Sequence, residues 1–104
     1  MLIVFTTVST QAAGEALATK IVESKLAGCV HILPQMTSVY VWEGKLKKEG
    51  EHLMLIKTLA EKFDELASFI TANHSYDVPE IVAIDAEKVS KPYLAWMNDV
   101  LSEK

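Results

Sequence analysis

Residues 29–59 read CVHILPQMTSVYVW-EG-KLKKEGEHLMLIKTL, and this stretch decides the fold. Its first arm, Cys29 to Trp42, is dense in β-branched and aromatic residues: Val30, Ile32, Thr37, Val39, Tyr40, Val41 and Trp42. Such side chains suit a pleated, half-buried surface. Glu43-Gly44 reads as a hairpin turn, and the return arm, Lys45 to Leu59, carries Leu53, Met54, Leu55 and Ile56 as its buried part. Pro34 has no amide proton, so it marks a bulge or bend in the first arm. Each arm has about 14 residues and, at ~3.3 Å per residue, spans roughly 45 Å. Ordinary strands reach only about 17–20 Å. The outer half, with Tyr40 and Trp42, therefore projects beyond a small core. A two-stranded ribbon is marginal alone in water, so the length predicts a homo-oligomer that covers it.

Outward from the ribbon, the remaining elements fall into place. Leu2 to Phe5 is a continuous apolar run, the mark of a strand buried on both faces. Ser9 or Thr10 can cap a helix over Ala12 to Leu26, with Gly28 as its stop signal. Phe63, Leu66, Ala67 and Ile70 give the apolar period of a second helix, Glu61 to Ala72. A polar loop, Asn73 to Pro79, leads to a strand over Glu80 to Ala86. Ser90 and Pro92 open a third helix with Leu94, Met97 and Leu101 on one face. The order is β-α-β-β-α-β-α, and its first six elements match the split βαβ motif. Right-handed crossovers put both main helices on one face of an antiparallel sheet. The expectation is a single α+β domain over residues 1–104: a ferredoxin-like sandwich with a long projecting hairpin and an additional C-terminal helix. The other sheet face needs a cover, from the last helix or from another subunit.

A formal net charge of -4 argues against a phosphate-backbone binder, since Lys45, Lys47 and Lys48 are interleaved with Glu43, Glu49 and Glu51. No stretch approaches the ~20 apolar residues of a membrane span. The N-terminus lacks a positive leader, and Cys29 is the single cysteine, so a cytoplasmic chain is expected. Cys29 and His31 share a strand face, and a Cys-x-His pair suits a soft metal ion. His74 lies in a loop beside Tyr76 and shortly before Glu80, where imidazole and carboxylate can ligate a borderline divalent ion. Lys57 stands inside an apolar strand and wants a carboxylate such as Glu80 or a bound anion. His52 is expected on the outer hairpin, facing solvent or a subunit contact. No glycine-rich phosphate loop and no nucleophile–base pair is visible, so the chain is not expected to be an enzyme.

Four passages together resemble the CutA divalent-cation tolerance family. They are Lys25 to Pro34 (KLAGCVHILP), Ser38 to Lys45 (SVYVWEGK), Glu51 to Thr58 (EHLMLIKT) and His74 to Ile81 (HSYDVPEI), in that order. The resemblance implies a ferredoxin-like subunit in a homotrimer of PII-like architecture, with the long hairpin extending sheets between subunits. It also implies tolerance of copper and other divalent cations. Copper is associated in the family with the cysteine at Cys29 and with the loop histidine and its neighbouring carboxylate, here His74 with Asp77; the Pro-Glu-Ile carboxylate is Glu80. Departures from the family pattern are Ser75 in place of a proline, Asp77 in place of a glutamate, His31 in place of an asparagine, and Gln35-Met36 in place of a glycine-like turn.

The sequence thus predicts a homotrimer that binds divalent cations, copper foremost, through Cys29, His74, Asp77 and Glu80. The alternatives are a PII-like module holding an anionic metabolite in intersubunit clefts lined by Tyr40, Lys57 and Tyr76, or a trimeric scaffold for partner proteins. Trp42 and Trp96 are assigned to the interface, where aromatics are enriched.

Overall fold

The computed structural model describes residues 1–102. In chain order the elements are β1 (Leu2–Val8), α1 (Gln11–Glu23), β2 (Cys29–Ile32), β3 (Met36–Trp42) and β4 (Lys45–Thr58). A short 3₁₀ turn (Ala60–Lys62), α2 (Phe63–Asn73), β5 (Val82–Asp85) and α3 (Lys91–Val100) follow. The sheet is antiparallel in the order β2-β4-β1-β5, with β3 paired to the outer part of β4. This is the ferredoxin-like arrangement expected from the element order, with α3 as an addition.

The core lies between one sheet face and the two main helices. Val4 and Val8 of β1 and Met54 and Ile56 of β4 meet Leu17 and Ile21 of α1 and Leu66 and Ile70 of α2. The strand period of two puts the alternate residues Ile3, Phe5, Leu53 and Leu55 on the opposite face, where they are only half-buried. Val82 and Ile84 of edge strand β5 are about half exposed. Among the described residues α3 covers one end of this second face, with Tyr93 beside Lys57 and the fully buried Met97 against Gly28.

Pro34 produces a true bulge. Ile32 pairs with Met54 and Met36 with Glu51, so Leu33, Pro34 and Gln35 stand opposite only His52 and Leu53. The first arm is therefore two strands laid along one uninterrupted partner. Leu33 N still donates to Leu53 O at 2.9 Å, and the His52 ring bonds the Leu33 carbonyl oxygen through Nδ1, also at 2.9 Å. His52 is thus a half-buried clip on the bulge; of the two expectations for it, solvent or a subunit contact, full solvent exposure does not hold. The ribbon beyond it closes through Glu43 (φ 50) and Gly44 (φ 75), two left-handed residues in sequence. That is the turn whose twist matches paired strands. The ribbon sets the long axis of the molecule, whose extents are 45 × 26 × 22 Å.

Several boundaries differ from the sequence reading. β1 continues to Val8 and β5 begins only at Val82. Thr10 caps α1, its Oγ1 accepting from Ala13 N at 3.0 Å. The helix stops at Glu23, three residues before the expected Leu26. Lys25 takes the left-handed position (φ 58); Leu26 N then donates to Ile21 O and Lys25 N to Val22 O. This is a Schellman stop, with Leu26 and Ile21 both buried as its apolar contact. Gly28 does not end the helix. A Cβ there would lie 2.5 Å from Met97 Sδ and 3.1 Å from Val100 Cγ2, so glycine is what lets α3 close against the start of β2.

A candidate cleft at the base of the ribbon

β1 runs three residues past the end of its pairing with β5, which stops at Phe5 opposite Val82. The Thr7 carbonyl beyond that point has lost its strand partner on that side. His74, just past the end of α2, fills the gap: its Nε2 donates to Thr7 O at 2.7 Å, while Nδ1 accepts from Tyr76 N at 3.0 Å. The two bonds fix the neutral tautomer with the proton on Nε2. They also occupy both ring nitrogens. The His74 and Tyr76 rings lie 4.6 Å apart, tilted. Tyr76 then reaches the ribbon, its Oη donating to Glu51 Oε2 at 2.7 Å. Glu51 is only 7 % exposed. A chain of contacts therefore pins the α2–β5 loop to β1 and to β4.

Between this loop and the ribbon lies a cleft of about 730 Å³. Its aromatic and apolar wall includes Met36, Tyr40 and Trp42; its acidic groups are Glu49, Glu51, Asp77 and Glu80. Among the described residues no lysine or histidine lines it. Alternation along the ribbon explains the convergence: Met36, Ser38, Tyr40 and Trp42 point to one face of β3, cross-strand from Glu51, Glu49, Lys47 and Lys45. Partial burial, then the hydrogen bond to Glu51, holds the Tyr76 phenol well above the ordinary tyrosine range. Partial desolvation, then a hydrogen bond to Glu49, raises Tyr40 in the same direction. The Tyr76 phenol is thus kept protonated as a donor to Glu51.

Of the residues singled out in the sequence, Tyr40, Trp42, Tyr76, Asp77 and Glu80 are brought together here, and His74 supports them from behind. Lys57 is not among them. It sits across from Cys29 in the β2–β4 pair, and its Nζ lies 5.4 Å from the Tyr93 ring centroid on α3. A cation over an aromatic face is a partner for Lys57 that the sequence reading, which named Glu80 or a bound anion, did not foresee. Trp96, 43 % exposed, stacks on Tyr93 at 5.6 Å between centroids and lies on α3, outside the cleft lining. Cys29, half-buried, faces His31, with Sγ 3.7 Å from Nε2. Among the described residues no three His, Cys, Asp or Glu side chains converge closely enough to hold a metal ion. Cys29 and His74 therefore belong to different places: one at the start of β2, the other beside the far end of β1. The residues missed by sequence reasoning are Glu49 and Glu51, whose odd-numbered spacing on β4 with Leu53 is the signal that puts them on the cleft face.

Fold and cleft together define a ferredoxin-like chain with an extended ribbon and an acid-lined, tyrosine-bearing cleft at the ribbon's base. The chain belongs to the CutA1 divalent ion tolerance protein family, whose model matches residues 2–100. It is 43 % identical over 98 residues to the chloroplastic CutA protein of Arabidopsis thaliana, an alignment covering 94 % of this chain and 54 % of that one. It is 37 % identical over 97 residues to the divalent-cation tolerance protein CutA of Thermus thermophilus, covering 93 % and 94 %. The solved structure of the periplasmic divalent cation tolerance protein CutA from Archaeoglobus fulgidus superimposes with a TM-score of 0.94 at 35 % identity, covering 98 % and 100 %. The chain spans 54–58 % of the length of the plant and vertebrate relatives it matches. No helix among the described residues is long and apolar enough to cross a membrane.

Proposed function

We propose that the chain works as a homotrimer that binds divalent cations, copper foremost, as part of metal tolerance in the cytoplasm. The observation that carries the metal reading is the Cys29–His31 pair, with Sγ and Nε2 3.7 Å apart on one strand face. Metal–sulfur and metal–nitrogen bonds of ~2.3 and ~2.05 Å meeting at one ion across that gap subtend about 115°, close to tetrahedral. Thiolate and imidazole are the donors that copper and zinc prefer. Two donors from one chain leave room for others from a second copy or from a small thiol. A reducing compartment keeps such a thiol free. His74 with Asp77 or Glu80 is the second donor set in the proposal, and its use requires the imidazole to leave Thr7 or Tyr76.

Assembly is supported by what the isolated chain leaves uncovered. Val39, Val41 and Leu46 on the ribbon are 60–74 % exposed, and Val82 and Ile84 mark an apolar sheet edge. Exposed apolar edges of this kind are normally paired or covered. Three is the number of copies that the family resemblance implies. The proposal assigns no catalytic step to the chain.

The test is calorimetric titration of the reduced, metal-free protein with Cu(II), with Cu(I) under anaerobic conditions, and with Zn(II). Saturable binding at whole-number stoichiometry, lost in Cys29→Ser and weakened in His31→Asn, is the expected result. Loss in His74→Ala instead would move the site to the α2–β5 loop. Non-saturating binding, unchanged by all three substitutions, would overturn direct metal binding.

A further inference from the structure

Glu51 is a carboxylate more than nine-tenths buried, and its side chain accepts a single hydrogen bond, from the neutral Tyr76 hydroxyl to Oε2. Among the described residues Oε1 accepts no hydrogen bond and no lysine pairs with the group, and this oxygen is not fully enclosed, so it opens toward the cleft. Buried charges are ordinarily paired. Here three more carboxylates, Glu49, Asp77 and Glu80, border the same cleft, and their mutual repulsion sharpens the demand for positive charge. The four do not converge closely enough to chelate an ion. They are spread around a space of about 730 Å³, the size of a small-molecule site. Trp42 and Tyr40, each more than a third exposed, stand on the same ribbon face as Glu49 and Glu51, while Asp77 and Glu80 come from the loop across the cleft. Diffuse negative charge beside indole and phenol rings is the chemistry that recognises organic cations.

We infer that this cleft is a binding site for a small organic ammonium ion with an apolar body. Its ammonium group pairs with Glu51 in place of water, and its body lies against Trp42 and Tyr40. The Tyr76 phenol, donating to Glu51 Oε2, orients that carboxylate rather than competing for the cation. The same lining disfavours an anionic metabolite. The site is separate from the Cys29–His31 pair and stands whether or not that pair binds metal.

The experiment uses the full chain carrying Trp96→Phe, so that Trp42 is the sole tryptophan reporter. Its fluorescence is titrated with benzylamine, benzyl alcohol and benzoate, probes of similar shape and different charge. Benzylamine is expected to saturate the signal, benzoate to give none, and benzyl alcohol to bind at least about tenfold more weakly, since a hydrogen-bonded charge is lost. Glu51→Gln is expected to weaken benzylamine by a similar factor. Glu80 is exposed, so Glu80→Gln leaves the fold intact and must also weaken it, by two- to threefold for a screened charge. Equal responses to amine and alcohol, or an amine response unaffected by both substitutions, would overturn the inference. So would displacement of benzylamine by stoichiometric Zn(II), which would give the cleft to a metal ion.

Discussion

Replacing His74 by alanine removes both hydrogen bonds that hold the α2–β5 loop. The Thr7 carbonyl, on a residue only 7 % exposed, loses its donor, and the Tyr76 amide loses its acceptor. At about 1 kcal/mol net for each neutral bond, the two together contribute about 2 kcal/mol. The ring contact with Tyr76 adds about 0.5–1.5 kcal/mol. His74→Ala should therefore destabilise the protein by about 3 kcal/mol. With a urea dependence of about 1.5 kcal/mol per molar, that lowers the unfolding midpoint by about 2 M. The comparison is made at one protomer concentration, because stability of an assembly depends on it. His74→Gln keeps one amide donor and should lose about half as much. A change within about 0.5 kcal/mol for the alanine variant, the usual range for a surface substitution, would refute the assignment of His74 as a clip.

Gly28→Ala should cost about 1–2 kcal/mol, because the new methyl meets the fully buried Met97 side chain. In a Met97→Ala background the same substitution should cost nothing further, and urea denaturation of the four-member cycle measures the difference. The alkaline limb of stability should show Tyr76. Its folded-state pKa lies above the unfolded value of 10.0, so its contribution is complete below about pH 10 and is lost as the pH rises beyond it. Ultraviolet difference titration should show Tyr76 and Tyr40 ionising later than an ordinary tyrosine, with the late amplitude reduced in Tyr76→Phe. Absence of that late phase would contradict the phenol–carboxylate pairs.

The architecture was legible because each element has its own local signal. The β-branched arms, the Glu43-Gly44 turn and the 3.6-residue period of Phe63 to Ile70 suffice for order and type, and Pro34 marked the bulge. Element ends were less so. Lys25 takes a left-handed conformation usually left to glycine, which no propensity announces, while the nearby Gly28 is kept for contact with a helix some 70 residues later in the chain. The site was half legible. Tyr76, Asp77 and Glu80 stand out as a loop motif, but Glu51 looks like any hairpin charge until the register opposite Met36 and the Tyr76 hydroxyl are known. The Tyr93 ring beside Lys57 was hidden for the same reason: α3 brings it, and sequence distance gives no warning of it.

β4 belongs at once to the core and to the ribbon, with no break over its 14 residues. Amide hydrogen exchange along it is therefore graded. Near Ile56, fully buried, a proton is released only by global unfolding; near Leu46, 74 % exposed, fraying of the ribbon is enough. If another copy docks onto the ribbon, as in the proposed assembly, exchange slows over Lys45 to Glu51 and the inner residues stay as they were. One strand thus serves as an internal gauge, with its inner end recording the stability of the subunit and its outer end recording whether the subunit has found its neighbours.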